Sequence, residues 1–273
     1  VTRPGVQIRA RRGYLAATTV TATPVAALAG NARAIAEAQA VSIALASLGA
    51  APRDPAMFLQ AAAGRSASGD PAVWAVLEIP RAALAADWSK GGDVDALLID
   101  ASGNTAGVAR ASVPAGAASA RLTIAPRSLA PGSYELRVRA RGAAGSGASS
   151  ESVRVVVPEA AGGSGAVFFR RGPATGNREV ATADLRFRRG DTLRVMVPAD
   201  SGTMPAGARL LDRTGKALAI PVAVSVVDEP DGSHWLVAQS ALAPLGTGDY
   251  LIEVSGMVGS GERRSLVAFR VIP

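Results

Sequence analysis

Cysteine is absent from all 273 residues. That excludes disulfide staples, zinc–cysteine sites and thiol nucleophiles, while leaving the compartment open. Histidine occurs once, at His234, so no second imidazole is available for a histidine-ligated metal. Aromatic residues make up only 4%, so a core must be built mainly from Val, Leu, Ile and Ala. Lysine occurs only at Lys90 and Lys216; the formal charge of +7 and the pI near 10.8 therefore come from arginine. GC-rich coding accounts for that bias more simply than a basic binding surface, because no run of five or six basic residues occurs. Long apolar runs are missing too. The most apolar stretch, Ala38 to Gly49, is broken by Gln39, Ser42 and Ser47 and falls short of the ~20 residues that span a bilayer.

What is present reads as folded protein. Hydrophobic residues reach 48%, no charge block or polar tract intervenes, and the length fits one to two domains. The chain opens on Val, with no charged n-region followed by an apolar h-region, so we expect a piece of something longer.

Residues 1–16 alternate Val6, Ile8 and Ala10 with Gln7, Arg9 and Arg11, the period of one strand. A lone strand is not stable, so this one reads as the remnant of an upstream domain. Residues 17–50 form a linker carrying one helix over about 26–48. There Ala34, Ala38, Val41, Leu45 and Leu48 recur at helical spacing and Gly49 supplies a stop. From 51 to 158 short apolar runs alternate with Gly, Pro, Asp and Ser turns. Val73, Ala75, Leu77 and Ile79 share one strand face. Tyr134, Leu136, Val138 and Ala140 alternate with Glu135, Arg137, Arg139 and Arg141. Short strands, frequent turns and no helical pattern between them predict an antiparallel sandwich. Residues 159–165 (EAAGGSG) have the composition of a flexible linker.

Residues 166–273 then repeat the programme. Leu98-Ile99-Asp100-Ala-Ser-Gly103 is matched by Leu210-Leu211-Asp212-Arg-Thr-Gly215, and Leu129-Ala-Pro-Gly-Ser-Tyr134 by Leu242-Ala-Pro-Leu-Gly-Thr-Gly-Asp-Tyr250. The offset is 112 at the turn glycines and 115 at the closing prolines, Pro158 and Pro273. Landmarks in one order at nearly constant offset indicate two copies of one module of about 110 residues. The fold class is therefore mainly β: two tandem immunoglobulin-like or fibronectin III-like β-sandwiches, preceded by a stray strand and one linker helix. Tyr134 and Tyr250 fit the corner tyrosine of such sandwiches, with the ring in the core and the hydroxyl bonded back to the preceding connection. Gly103 and Gly215 close hairpin-type turns.

The segment Arg3-Pro-Gly-Val-Gln-Ile-Arg-Ala-Arg-Arg-Gly-Tyr14 resembles the end of the von Willebrand factor A domain in a family of bacterial, notably acidobacterial, secreted proteins. Arg170-Arg-Gly-Pro173, Leu210-Leu-Asp-Arg213 and Ala268-Phe-Arg-Val-Ile-Pro273 look like the region that follows that domain. The resemblance implies an exported, extracytoplasmic protein with an adhesion-type domain upstream in the same chain. The Asp-x-Ser-x-Ser metal-site motif of that family does not occur here, so no metal or ligand residue carries over.

Catalytic machinery is not evident. Ser233 and His234 are neighbours, and neighbours on a strand point to opposite faces, so they do not form a nucleophile–base pair. Asp93 and Asp95 share a face, and with Asp87 or Asp100 they leave a weak calcium site open; solvated acids at a strand start are the plainer reading. Glu78 and Glu253 are single acids without an identifiable partner. Gly142, Gly145 and Gly147 precede a strand rather than the helix that a dinucleotide fingerprint needs. The basic groups Arg9–Arg12, Arg170–Arg171 and Arg186–Arg189 lie near Phe168, Phe169 and Phe187, which look like core, so nucleic acid is not the expected partner.

The function expected is a non-catalytic structural or interaction module with no cofactor, a stalk or docking platform binding a protein or cell-surface polymer through loops or strand edges. The alternative is a carbohydrate-binding accessory module of a secreted enzyme, for which Trp74, Trp88 and Trp235 look too scattered to form a platform.

Overall fold

The structure, a computed structural model, describes residues 25–49, 57–145, 147–159 and 162–273. The strand expected over residues 1–16 lies outside them. The chain divides into two compact units, Val1–Glu37 and Ala38–Pro273. Helix α1 (Val25–Ala46) begins in the first, where an Arg33–Glu37 ion pair at 3.0 Å joins successive turns. Alanine, the best helix former, dominates its sequence. A short 3-10 turn, Ser47–Gly49, ends it, and the Ser47 hydroxyl donates to the Ala44 carbonyl.

The chain is mainly β, folded as two sandwiches. In the first, β1 (Phe58–Arg65), β2 (Pro71–Glu78), β3 (Gly92–Ile99), β4 (Thr105–Val113), β5 (Ser119–Ile124), β6 (Gly132–Gly142) and β7 (Ser149–Val157) make two antiparallel sheets. One has the order β4-β3-β6-β7. The other has the order β5-β2-β1 and gains a fourth strand, β8 (Ser164–Gly165), paired with Ala62 and Ala63. Composition predicts a flexible linker over 159–165, yet its end is pinned into the sheet. The apparent all-strand texture also conceals α2 (Arg81–Ala86), an Ala-rich segment entered through Pro80, whose fixed φ suits a helix start.

The second sandwich contains β9 (Val167–Arg171), β10 (Val180–Thr182), β11 (Arg186–Arg188), β12 (Thr192–Ala199), β13 (Met204–Asp212), β14 (Ala223–Asp228), β15 (His234–Ala241), β16 (Gly248–Val258) and β17 (Gly261–Ile272). Its sheets run β10-β9-β12-β15-β14 and β11-β17-β16-β13, with β11–β17 the parallel pair. The runs β9-β12-β15-β14 and β17-β16-β13 are compatible with an immunoglobulin-like order, with β10 and β11 added at the edges.

The halves are related but not identical. After the first matched turn the chain returns beside β3 as β4. After the second it makes a single bridge, Leu211 to Ala217, and then crosses to the opposite sheet as β14. Pro221 lies at that crossing. A proline has no N–H for a ladder, which disfavours continued pairing with β13.

Each sandwich has its own core. Val73, Ala75, Leu77, Leu98, Leu136 and Val138 belong to the first, and Phe187, Leu193, Val195, Leu210, Ile252 and Phe269 to the second. A third cluster joins them: Ala62, Ala72, Trp74 and Val76 from β1 and β2 pack against Val167, Phe169, Met196, Trp235 and Val237. The sheets therefore lie in series, and the two inner ones are covered on both faces. The Trp74 and Trp235 rings meet edge-to-face at 4.8 Å and are 3% and 0% exposed. These tryptophans, scattered in sequence, form one joint.

Helix α1 seats on the outer sheet of the second sandwich. Val41, Ala44, Leu45 and Leu48 pack on Leu211, Leu251, Leu266 and Ala268. Ala34 and Ala38, assigned to the packed stripe from spacing alone, are exposed. The apolar stripe thus docks only through its C-terminal portion.

Trp235→Ala is expected to cost about 3–5 kcal/mol, the range for a buried aromatic truncation. It should also split thermal unfolding into two calorimetric transitions, where a single one is expected for the parent chain.

Candidate functional site

The matched turns have the same build. Gly103 and Gly215 both sit at φ +86°, a left-handed conformation that a side chain would strain. In each, the first residue's N–H donates across the loop, Asp100 to Asn104 and Asp212 to Lys216. The Asp100 carboxylate accepts the amides of Ser102 and Asn104, and Asp212 accepts those of Thr214 and Lys216. The Asn104 amide foremost holds the Asp100 carboxyl below its ordinary value, and the Thr214 hydroxyl foremost does so for Asp212. Two further turns repeat the backbone pattern, at 66–70 and 229–233, with Gly69 and Gly232 also left-handed.

Beside the matched turns stand the tyrosines. The Tyr134 hydroxyl donates to the Ala130 carbonyl at 2.7 Å, and that of Tyr250 to Gly246 at 3.1 Å. Burial, then the Asp100 charge, raises the Tyr134 phenol above its ordinary value. The Tyr250 ring stacks on Phe269 at 5.9 Å.

The groups considered for chemistry go to separate partners. Ser233 donates to Asp231 at 2.5 Å and accepts the Trp235 indole N–H at 2.8 Å. His234 meets Asp228 at 2.5 Å, across the β14–β15 pair. Asp93 accepts from Ser112, Asp95 pairs with Arg110 at 2.9 Å, and Glu253 pairs with Arg209 at 2.9 Å. Among the described residues no three acids or histidines gather where a metal could bind. Phe168, Phe169 and Phe187 are buried, and the arginines beside them are used internally: Arg170 donates to the carbonyls of Asp184 and Arg186, and Arg186 pairs with Asp184.

Instead, the polar residues converge on the joint. Glu78, at the end of β2, reaches into the second sandwich. Its Oε2 accepts the Thr182 hydroxyl at 2.5 Å and the amides of Ala183 and Asp184, both at 2.8 Å, with Arg170 3.6 Å from Oε1. A half-buried carboxylate needs such donors, and among the described residues this one finds them across the joint. Arg121 of β5 also pairs across the joint, with Glu229 at 3.2 Å. Close approach shapes the contact: a Cβ on Gly64 would fall 2.6 Å from that of Pro198, and one on Gly232 2.4 Å from that of Ala67. The joint is the feature that sequence reasoning missed. Its signal was present in the unbroken apolar runs Ala72–Leu77 and Trp235–Ala238, which fit strands buried on both faces.

No family model matches the chain, and no curated protein matches it. Among the described residues no helix is long and apolar enough to cross a membrane.

Tyr134→Phe should lower stability by about 1 kcal/mol, the scale of one net hydrogen bond, with an unchanged spectrum of the folded state. Urea titration measures it. A second expectation concerns pH. Burial raises the Asp231 carboxyl, but the Ser233 hydroxyl and amide, the Trp74 indole and the Arg121 charge outweigh it and leave the group below the ordinary 3.8. Its folded value is depressed, so its contribution is complete above the ordinary carboxylate range and is lost as pH falls through the lowered value. Asp231→Asn should therefore flatten the acid limb of the stability–pH curve below about pH 4 while leaving its shape near neutrality unchanged.

Proposed function

We propose that this chain is a non-catalytic structural and interaction module. In this reading two sandwiches fused back to back form a stiff stalk or docking platform in an exported von Willebrand factor A-type protein. The carrying observation is the Trp74–Trp235 joint, with its flanking Glu78 and Arg121 contacts. Domains tied only by a linker reorient freely, whereas a large apolar interface suppresses that motion. The likeness of the Arg3–Tyr14 segment to the end of a von Willebrand factor A domain supports export and an adhesion-type neighbour. Recognition then falls to exposed edges, loops and outer sheet faces, since the inner faces are occupied.

A carbohydrate-binding accessory role is less well supported. Trp74, Trp88 and Trp235 are all buried, and no aromatic ring among the described residues is exposed to form a flat sugar platform.

The absence of native cysteine makes a direct test convenient. Spin labels on cysteines replacing the exposed Ser102 and Arg213 report the separation of the two sandwiches. One narrow distance distribution is expected in the parent chain, broadening in the Trp235→Ala background. A broad distribution in the parent overturns the stiff-platform reading.

A further inference from the structure

The outward face of β4-β3-β6-β7 is exposed along alternate positions of all four strands. The central strands of the two inner sheets are covered on both sides, and the matching outer sheet of the second sandwich carries the C-terminal part of α1 at Leu211, Leu251, Leu266 and Ala268. Register explains why α1 sits where it does. Aligning the corner tyrosines and the matched turns sets Glu135 against Leu251 and Ile99 against Leu211. Leu211 and Leu251 form the seat of the helix. The first sandwich has a charged residue at one of these positions, so the same face remains open.

That open face has a definite pattern. Strand alternation turns Arg137, Arg139 and Arg141 outward along β6, about 7 Å apart. Arg110 on β4 and Arg154 on β7 flank them. The acids on this face are already engaged: Asp95 with Arg110 at 2.9 Å, Glu135 with Arg137 at 2.8 Å, and Asp93 with the Ser112 hydroxyl. Arg139, Arg141 and Arg154 have no carboxylate partner among the described residues. Between these cations lies an apolar pair, Leu97 opposite Val108, 42% and 65% exposed. Leu97, Val108, Arg110, Arg137 and Arg139 line an open trough of about 810 Å³, with Asp95 and Glu151 also in its wall; Arg141 and Arg154 stand on the same face outside it.

We propose that this face docks an acidic segment of a partner protein, its apolar side chains entering the trough over Leu97 and Val108 and its carboxylates meeting Arg139 there and Arg141 and Arg154 beside it. Charge complementarity selects an anionic occupant, and arginine is the cation best suited to bidentate carboxylate contacts. The apolar pair selects polypeptide over an anionic glycan, because two aliphatic side chains offer a sugar no ring to stack on, whereas they suit a Leu or Val of a partner. The equivalent face of the second sandwich holds the apolar side of a helix, so this sheet surface has the shape to seat a polypeptide element. The proposal rests on the interaction-module reading and adds the face and the chemistry of its partner.

The test uses the whole chain and a short fluorescein-labelled peptide of Glu and Leu, with its Lys and Leu counterpart and alginate as comparisons, followed by anisotropy. Binding of the Glu peptide that weakens with added salt is expected. Combining Arg139→Glu and Arg154→Glu should weaken it about tenfold or more. Leu97→Ser should weaken it several-fold while leaving the salt dependence unchanged. Circular dichroism of each variant checks that the fold is retained. Equal binding of the Lys peptide, unchanged affinity in the variants, or tighter binding of alginate through the same arginines overturns the proposal. Spin-label distances on the same samples separate the outcomes. A narrow distribution with failed docking leaves the platform reading standing and removes only the assigned face.

Discussion

Burial of the two inner sheets on both faces is the constraint on which the rest of this structure depends. Trp74 could not be left in water: its ring, with Ala62, Ala72 and Val76, would expose a large apolar patch on β1 and β2. Trp235, Phe169 and Met196 pose the same problem on the opposing sheet. Each patch is the other's solution. Small residues bring the backbones close enough for this, with Gly64 against Pro198 and Gly232 against Ala67. Once the joint forms, the inner faces are removed from any binding role, and only outer faces, edges and loop ends remain.

The polar contacts add orientation to that apolar attraction. Hydrophobic burial is non-directional, so a flat apolar contact alone admits several rotations. Glu78 satisfies its carboxylate only when Thr182, Ala183 and Asp184 are aligned with it, and Arg121 reaches Glu229 only in the same alignment. Two of the four similar hairpin turns also meet here, through Ala67 and Gly232. The same local chemistry thus serves an exposed loop tip at Gly103, a turn against Val41 of α1 at Gly215, and a contact between the sandwiches at Gly232.

Much of this was legible in the sequence wherever it depends on local pattern. The alternation from Tyr134 to Arg141 marks a strand with one buried face, and the structure has it as β6. The Asp-x-x-Gly turns and the Tyr positions recur in order because backbone conformation and a short hydrogen bond are set by nearby residues. What depends on distant residues was not legible. Glu78 reads as a lone acid because its donors lie over a hundred residues away. The tryptophans read as scattered because only the folded chain brings them together. The divergence of β4 and β14 had a local cue in Pro221, but the sheet that the diverted strand joins is a tertiary matter. Ala34 and Ala38 share a helical face with Val41, yet only the neighbouring sheet determines how far along that face contact extends.

The seating of α1 has a mechanical consequence. Its Val41–Leu48 stretch grips the second sandwich, and β17, the last strand, belongs to that same sheet. Tension applied between the helix and β17 would run through the second sandwich and bypass the first for as long as the helix holds. The first sandwich would then hang beside the line of force as an unloaded flag, keeping its outer face undistorted while the strands next to it bear the strain.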